Sequence, residues 1–178
     1  MYIESPTLPL TGTMPVAKQP GKFLNTFLAN KPLRDITLKS LDSKPVNLGD
    51  YNGKVLAIDF WSTGCTPCVA AFAGFEKVVA EYKKSEFQLF VVNLFEPQAE
   101  VQVFAARKPI KLEILQDEEN KAYTVTATPT KIIFDPMGDI RFFSSGYAGS
   151  TDREYYKLKA MVEITKARAS KAPAQQGK

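Results

Sequence analysis

The chain has 178 residues, 44% of them hydrophobic and 24% charged, which fits one soluble globular domain with a sizeable core and ragged ends. It has no histidine and only two cysteines, which argues against Ser-His or Cys-His catalysis, histidine-held metal, a four-thiolate zinc site and an iron–sulfur cluster within one chain. The net charge of +4 gathers near the C-terminus, in Lys157, Lys159, Lys166, Arg168, Lys171 and Lys178; without an aromatic platform or zinc-finger spacing it reads as a solvated face, with no nucleic-acid partner.

Residues 1–30 form an irregular arm, its first twenty positions carrying Pro6, Pro9, Pro15 and Pro20, with a short helical turn expected over 23–29. The domain proper spans 31–169. Ile36–Leu41 and Pro45–Leu48 flank Asp42-Ser43-Lys44, the pattern of a β-hairpin. Lys54–Trp61 is almost continuously apolar and fits a central strand buried on both faces. A loop over Ser62–Thr66 leads into a helix from about Pro67 to Lys84, with Cys68, Phe72, Phe75, Val79 and Tyr82 on its inward stripe. Phe87–Leu94 is a second buried strand. Pro97 opens a segment that turns Val101, Phe104 and Ala105 inward. Leu112–Leu115 is strand-like and Asp117–Tyr123 a helical turn. Thr130–Phe134 and Ile140–Phe143 are joined by the turn signal Asp135-Pro136-Met137-Gly138-Asp139. A last helix from about Asp152 to Ala169 aligns Tyr155, Leu158 and Val162, and 170–178 form a flexible tail. The order predicts an α/β fold: a central mixed sheet with helices on both faces and an added N-terminal β-hairpin.

No apolar run is long enough to span a bilayer, and Met1–Leu10 lacks the features of a signal peptide. A cytoplasmic location and a start beyond a removed signal or anchor both remain open.

Both cysteines lie in Phe60-Trp61-Ser62-Thr63-Gly64-Cys65-Thr66-Pro67-Cys68. Alone, a Cys-x-x-Cys is as readily a metal half-site or a local staple. At the junction of a buried strand and a helix, with no further ligands in the chain, it fits redox exchange. Cys65 lies at the helix N-terminus, where unpaired N–H groups and the helix dipole favour a thiolate. Cys68, one turn further in, resolves the mixed disulfide. Asp59 is the ionisable residue inside the apolar strand; burial raises a carboxyl's pKa and suits it to proton exchange with the couple. Its plain alternative is a cap on the sheet. Thr66 and Pro67 add no positive charge between the cysteines, which points to a reducing couple. Trp61 is read as a shield over the rim of the site, with ordinary core as its alternative.

Three segments together carry a resemblance: Leu48-Gly49-Asp50-Tyr51-Asn52-Gly53-Lys54-Val55; Asp59-Phe60-Trp61 followed by Cys65-Thr66-Pro67-Cys68; and Ala122-Tyr123-Thr124-Val125 running through Ala127-Thr128-Pro129-Thr130 to Asp135 and Gly138. Over about residues 32–147 the chain resembles the thioredoxin superfamily, closest to the TlpA/ResA-like thiol–disulfide oxidoreductases of the bacterial cell envelope. From the residues alone, Thr128-Pro129 equally fits a trans start of an edge strand; the resemblance implies that Pro129 is a cis-proline packed across from the couple. It also implies that Thr128 offers its backbone to an extended substrate, and that Trp61, Gly64, Thr66, Pro67, Thr128 and Pro129 shape the docking surface. It implies a periplasmic or cell-envelope location, a protein-disulfide substrate, an upstream electron-donor protein, and no cofactor beyond the Cys65–Cys68 disulfide. Membrane contact would come only through an anchor absent from this chain, and the protein is expected to be a monomer. Three positions depart from the pattern. Gly64 replaces the aromatic many relatives carry before the first cysteine, Ala71 replaces a glutamate, and Ala73 replaces a helix-kinking proline.

The expected function is reduction of protein disulfides, with Cys65 attacking, Cys68 resolving and Asp59 handling the proton. Two alternatives are a peroxiredoxin-like thiol peroxidase, though Ile58 stands where its Pro-x-x-x-Thr/Ser-x-x-Cys line has proline, four before Ser62, and a non-enzymatic partner-binding or assembly module.

Overall fold

A computed structural model describes residues 2–3 and 36–171. Most of the expected arm, the turn over 23–29 and most of the tail lie outside the described residues. The backbone of Tyr2–Ile3 (β1) is nevertheless a strand at the sheet edge, where irregular chain was expected.

The hairpin of β2 (Thr37–Ser40) and β3 (Pro45–Asn47) is present, and a 3₁₀ turn follows over Leu48–Tyr51. Then come β4 (Val55–Trp61), α1 (Thr66–Glu81), β5 (Phe87–Leu94), α2 (Gln98–Arg107), β6 (Glu113–Asp117), β7 (Thr130–Phe134), β8 (Ile140–Ser145) and α3 (Thr151–Ala169). One sheet joins all eight strands in the order β1-β8-β7-β4-β5-β6-β2-β3. β4, β5 and β6 run parallel, while β7 pairs antiparallel with β4, β8 with β7, and β2 with β6. Residues 118–123 form turns and no helix.

Every residue of β4 is buried, as its apolar run predicts. Side chains alternate along a strand, so Val55, Ala57 and Trp61 join one core cluster and Leu56, Ile58 and Phe60 the other. Residues of all three helices pack on the first face. The second is closed by Leu48 and Tyr51 of the 3₁₀ turn and by Ala122, Tyr123 and Val125. Among the described residues the three α-helices share the first face and the 3₁₀ helix lies on the second. The reason lies in strand order. β4→β5→β6 step in one direction, so two right-handed crossovers put α1 and α2 on the same side. The return from β6 to β7 crosses the other face without an α-helix.

On α1 the buried stripe is Cys68, Ala71, Phe72, Gly74, Phe75 and Val78, while Val79 is 37% exposed, against the sequence expectation. The helix ends at Glu81, leaving Tyr82 half-buried beyond it. On α3 the buried residues are Glu154, Leu158, Met161, Val162 and Thr165. The two helices meet backbone to backbone. A Cβ at Gly74 would stand 2.5 Å from the Thr151 carbonyl oxygen and 3.1 Å from the Tyr155 nitrogen. The Thr151 hydroxyl also donates to the Ala70 carbonyl (2.9 Å).

This close approach reverses an ordinary expectation. Gly→Ala inside a helix stabilises by roughly 1 kcal/mol, but Gly74→Ala forces apart two packed backbones, an overpacking loss of about 1–3 kcal/mol. Urea denaturation of Gly74→Ala is expected to give a lower midpoint than wild type; an equal or higher midpoint would disprove the contact.

Candidate active site

β4 ends at Trp61, and the chain turns at once: the Cys65 N–H donates to the Ser62 carbonyl (3.1 Å), closing a tight turn over Thr63 and Gly64. Cys65 is the N-cap residue of α1, its carbonyl accepting from the Val69 N–H (3.2 Å). Pro67 lies in the first turn, where a missing N–H is harmless. No acidic side chain occupies that turn, so nothing there offsets the positive end of the helix dipole.

Cys65 and Cys68 are joined by a disulfide, their Cα atoms 5.3 Å apart. Their surroundings differ. Cys65 is half-buried and flanked by exposed Gly64 and Thr66, whereas Cys68 is wholly buried in the core beneath α1. Gly64 is glycine by neither backbone nor space: its φ is not left-handed and a Cβ would meet nothing within 4 Å. The Thr128–Pro129 peptide is cis. Thr130 pairs with Phe60, which brings the half-buried Thr128 and the buried Pro129 to the same end of the sheet as the couple. Trp61 corrects the sequence reading. It shares the helix-covered face with Ala57 and is fully buried, stacked edge-on against Phe72 (5.1 Å between centroids) and tilted against Phe104 (5.7 Å). It supports the floor of the site and presents no docking surface.

Asp59 lies between Ala57 and Trp61 in the alternation of β4, so it points to the Cys68 face. Its cross-strand neighbour on β7 is Lys131. The Lys131 Nζ stands 2.9 Å from Asp59 Oδ1, 3.5 Å from Glu154 Oε2 on α3, and 4.5 Å from the centre of the Phe75 ring. All three charged side chains are 2% exposed or less. Glu154 Oε1 also accepts from the Ala148 N–H (2.6 Å). The Asp59 contact is close but not aligned as a hydrogen bond, and neither Asp59 oxygen has a hydrogen-bond partner.

One cation and two carboxyls in a dry space leave an excess negative charge unless a proton is taken up. Asp59, neither of whose oxygens has a hydrogen-bond partner, is the carboxyl whose affinity for a proton burial raises. Burial pushes its pKa up, with the Glu154 charge adding to this, and Lys131 and Lys157 only partly oppose it. For Lys131, burial works against the charge, yet Asp59 and Glu154 outweigh it and its pKa is also raised. Sequence reading found Asp59 but missed Lys131 and Glu154. The signals were present: Lys131 is the charged residue within the apolar Thr130–Phe134 run, and Glu154 falls on the α3 stripe of Leu158 and Met161.

A raised carboxyl pKa gives stability that is full below the ordinary 3.8 and is lost as pH rises through the folded value. The Lys131 shift acts only above its ordinary 10.5. Above pH 3.8 the Asp59 contribution therefore falls as pH rises, and comparison with a variant that lacks the carboxyl separates it from other titrating groups. Urea denaturation across this range is expected to show Asp59→Asn gaining on wild type as pH rises; a difference independent of pH would contradict the assignment. Lys131→Met leaves two carboxyls without their cation and is expected to lose about 3–5 kcal/mol of stability in the same assay.

The AhpC/TSA family profile matches residues 29–143. The chain is 31% identical over 123 residues to the thiol-disulfide oxidoreductase ResA of Geobacillus kaustophilus, covering 67% of this chain and 71% of that protein. Among solved structures, one described as a thiol:disulfide interchange protein DsbE, from Chlorobium tepidum, superposes with a TM-score of 0.62 at 26% identity, covering 71% of this chain and 92% of that one. The exposed lipoprotein thioredoxin Etrx1 of Streptococcus pneumoniae shares the fold, with a TM-score of 0.62 at 22% identity over 72% of this chain and 98% of its own. The profile match spans the strand, turn and helix that carry Cys65 and Cys68: the chain belongs to the AhpC/TSA family and is a thiol–disulfide oxidoreductase of thioredoxin-like fold.

Proposed function

We propose that the protein works as a reductase of protein disulfides, with Cys65 as nucleophile, Cys68 as resolving thiol and Asp59 as the group that takes up the resolving proton. The observation that carries this reading is the asymmetry of the couple: Cys65 is half-buried at an uncompensated helix N-terminus, and Cys68 is sealed in the core on the Asp59 face.

The reduced Cys65 thiolate attacks one sulfur of a substrate disulfide and releases the other as a thiolate. Cys68 then gives its proton to the Asp59 carboxylate and attacks the Cys65 sulfur. The second substrate thiolate leaves, and the Cys65–Cys68 disulfide forms. Two electrons pass to the substrate, and an upstream dithiol protein returns them by the reverse exchange. Raised basicity suits Asp59 to this step. The neutral Thr66-Pro67 pair between the cysteines supports the reducing direction, because no added cation stabilises the thiolate. Thr128 and Pro129 form the substrate-facing wall opposite the couple. The likeness to the exposed lipoprotein thioredoxin Etrx1 is in keeping with a site of action in the periplasm or cell envelope.

Insulin reduction coupled to a dithiol donor tests the scheme. Cys65→Ser is expected to abolish turnover, and Cys68→Ser to stop at a mixed disulfide that gel electrophoresis without reductant displays. Undiminished activity in Cys65→Ser, or hydroperoxide consumption in place of insulin reduction, would sink it. The reduction potential in a glutathione series gives the direction, with a value near −270 mV expected for a reductase and one near −120 mV for an oxidant.

A further inference from the structure

Trp61 and Asn93 form the last paired rung of the parallel β4–β5 ladder. Beyond it the two chains leave the sheet side by side, one through Thr63 and Gly64 to Cys65, the other through Phe95 and Glu96 to α2. Glu96 ties them together. Its carboxylate accepts from the Thr63 N–H (2.8 Å), from the Thr63 hydroxyl, and from the side-chain amide of buried Asn93 (2.6 Å). The Gln116 amide donates to the Glu96 carbonyl (3.4 Å). The turn that presents Cys65 is thus latched to the β5–α2 loop.

Phe95 is the residue beside this latch. Its φ is 66°, in the left-handed region that bulky L-residues avoid, and it is 62% exposed. Asparagine or glycine would suit that backbone better, and a polar side chain would suit that exposure. Neither backbone preference nor burial in this chain accounts for an aromatic ring here. Strain of this kind gathers at sites of function. Across the latch, Gly64 leaves the space beside Cys65 empty.

We propose that Phe95 is a specificity-determining residue: its ring packs against an apolar side chain flanking the cystine of a protein substrate as that cystine reaches Cys65, with the vacancy at Gly64 giving the side chain room to pass. Glu96 is the positioning residue: it ties the loop backbone that carries Phe95 to the Thr63 turn. The inference rests on the reading that the couple reduces protein disulfides. It adds the substrate class: cystines flanked by aromatic or branched apolar residues in accessible chain.

The test uses pre-reduced protein mixed rapidly with three oxidants: glutathione disulfide, a peptide dimer whose cystine is flanked by phenylalanine and leucine, and the same dimer with serine flanks. Wild type is expected to react roughly tenfold faster with the apolar dimer than with the serine dimer, the scale of one well-made apolar contact. In Phe95→Asn that preference should fall to within about twofold. The rate with glutathione disulfide should stay at the wild-type value, and the melting temperature should stay level or rise, because asparagine tolerates the left-handed backbone. A preference that survives Phe95→Asn overturns the proposal, as does an equal loss of rate with all three oxidants. A wild type that reduces glutathione disulfide but neither dimer would instead overturn the reading beneath it.

Discussion

Lys131 and Asp59 face each other across the middle of the sheet, with no water-exposed surface on either side. Charges in such a place must satisfy one another, and that requirement reaches in several directions. It fixes the register of β7 against β4, because a slip of one residue would send Lys131 to the opposite face. It draws in Glu154, and with it the start of α3 and the Ala148 segment that leads there. It also leaves a carboxyl that is hard to ionise under the helix carrying Cys68. Stability and the proposed chemistry share the group: the charge that the core tolerates poorly is the one assigned above to the proton of the resolving thiol.

The exit of β4 is equally constrained. Its seven residues are buried, and the five from Leu56 to Phe60 are paired on both edges, so a change of direction can begin only where the ladder stops. The turn over Thr63 and Gly64 comes immediately, and Cys65 is delivered to the first position of a helix. α1 in turn rests on α3 at Gly74 with backbone against backbone. The reactive sulfur is therefore held between a strand that cannot shift and a helix pinned at its middle. The Glu96 latch completes the frame from the third side.

Much of this was legible in the residues. The apolar run to Trp61, the two cysteines beyond it, the hairpin around Asp42-Ser43-Lys44 and the turn at Asp135–Asp139 each carry local signals, and each matches the fold. What the sequence hid depends on partners distant along the chain. Lys131 and Glu154 show as misplaced charges, but only the pairing of β7 with β4 reveals that they meet Asp59. Trp61 looked like a rim residue because it precedes the loop, yet its parity with Ala57 puts it under α1. Val79 and Val78 differ by one step of about 100° around the helix, and the choice between them is made by where α3 lies. The sides taken by the helices follow from strand order, which no local pattern records.

The sheet ends in two very short strands. β3 has three residues and begins with Pro45, which has no N–H to offer; β1 has two and lies along β8. Long open edges invite other chains to add strands. A protein that exchanges disulfides with other proteins, as proposed above, meets extended, unpaired segments. Among the described residues both margins of the sheet are brief and give such segments little backbone on which to template aggregation, which suits a protein proposed to meet them at the latched turn around Cys65.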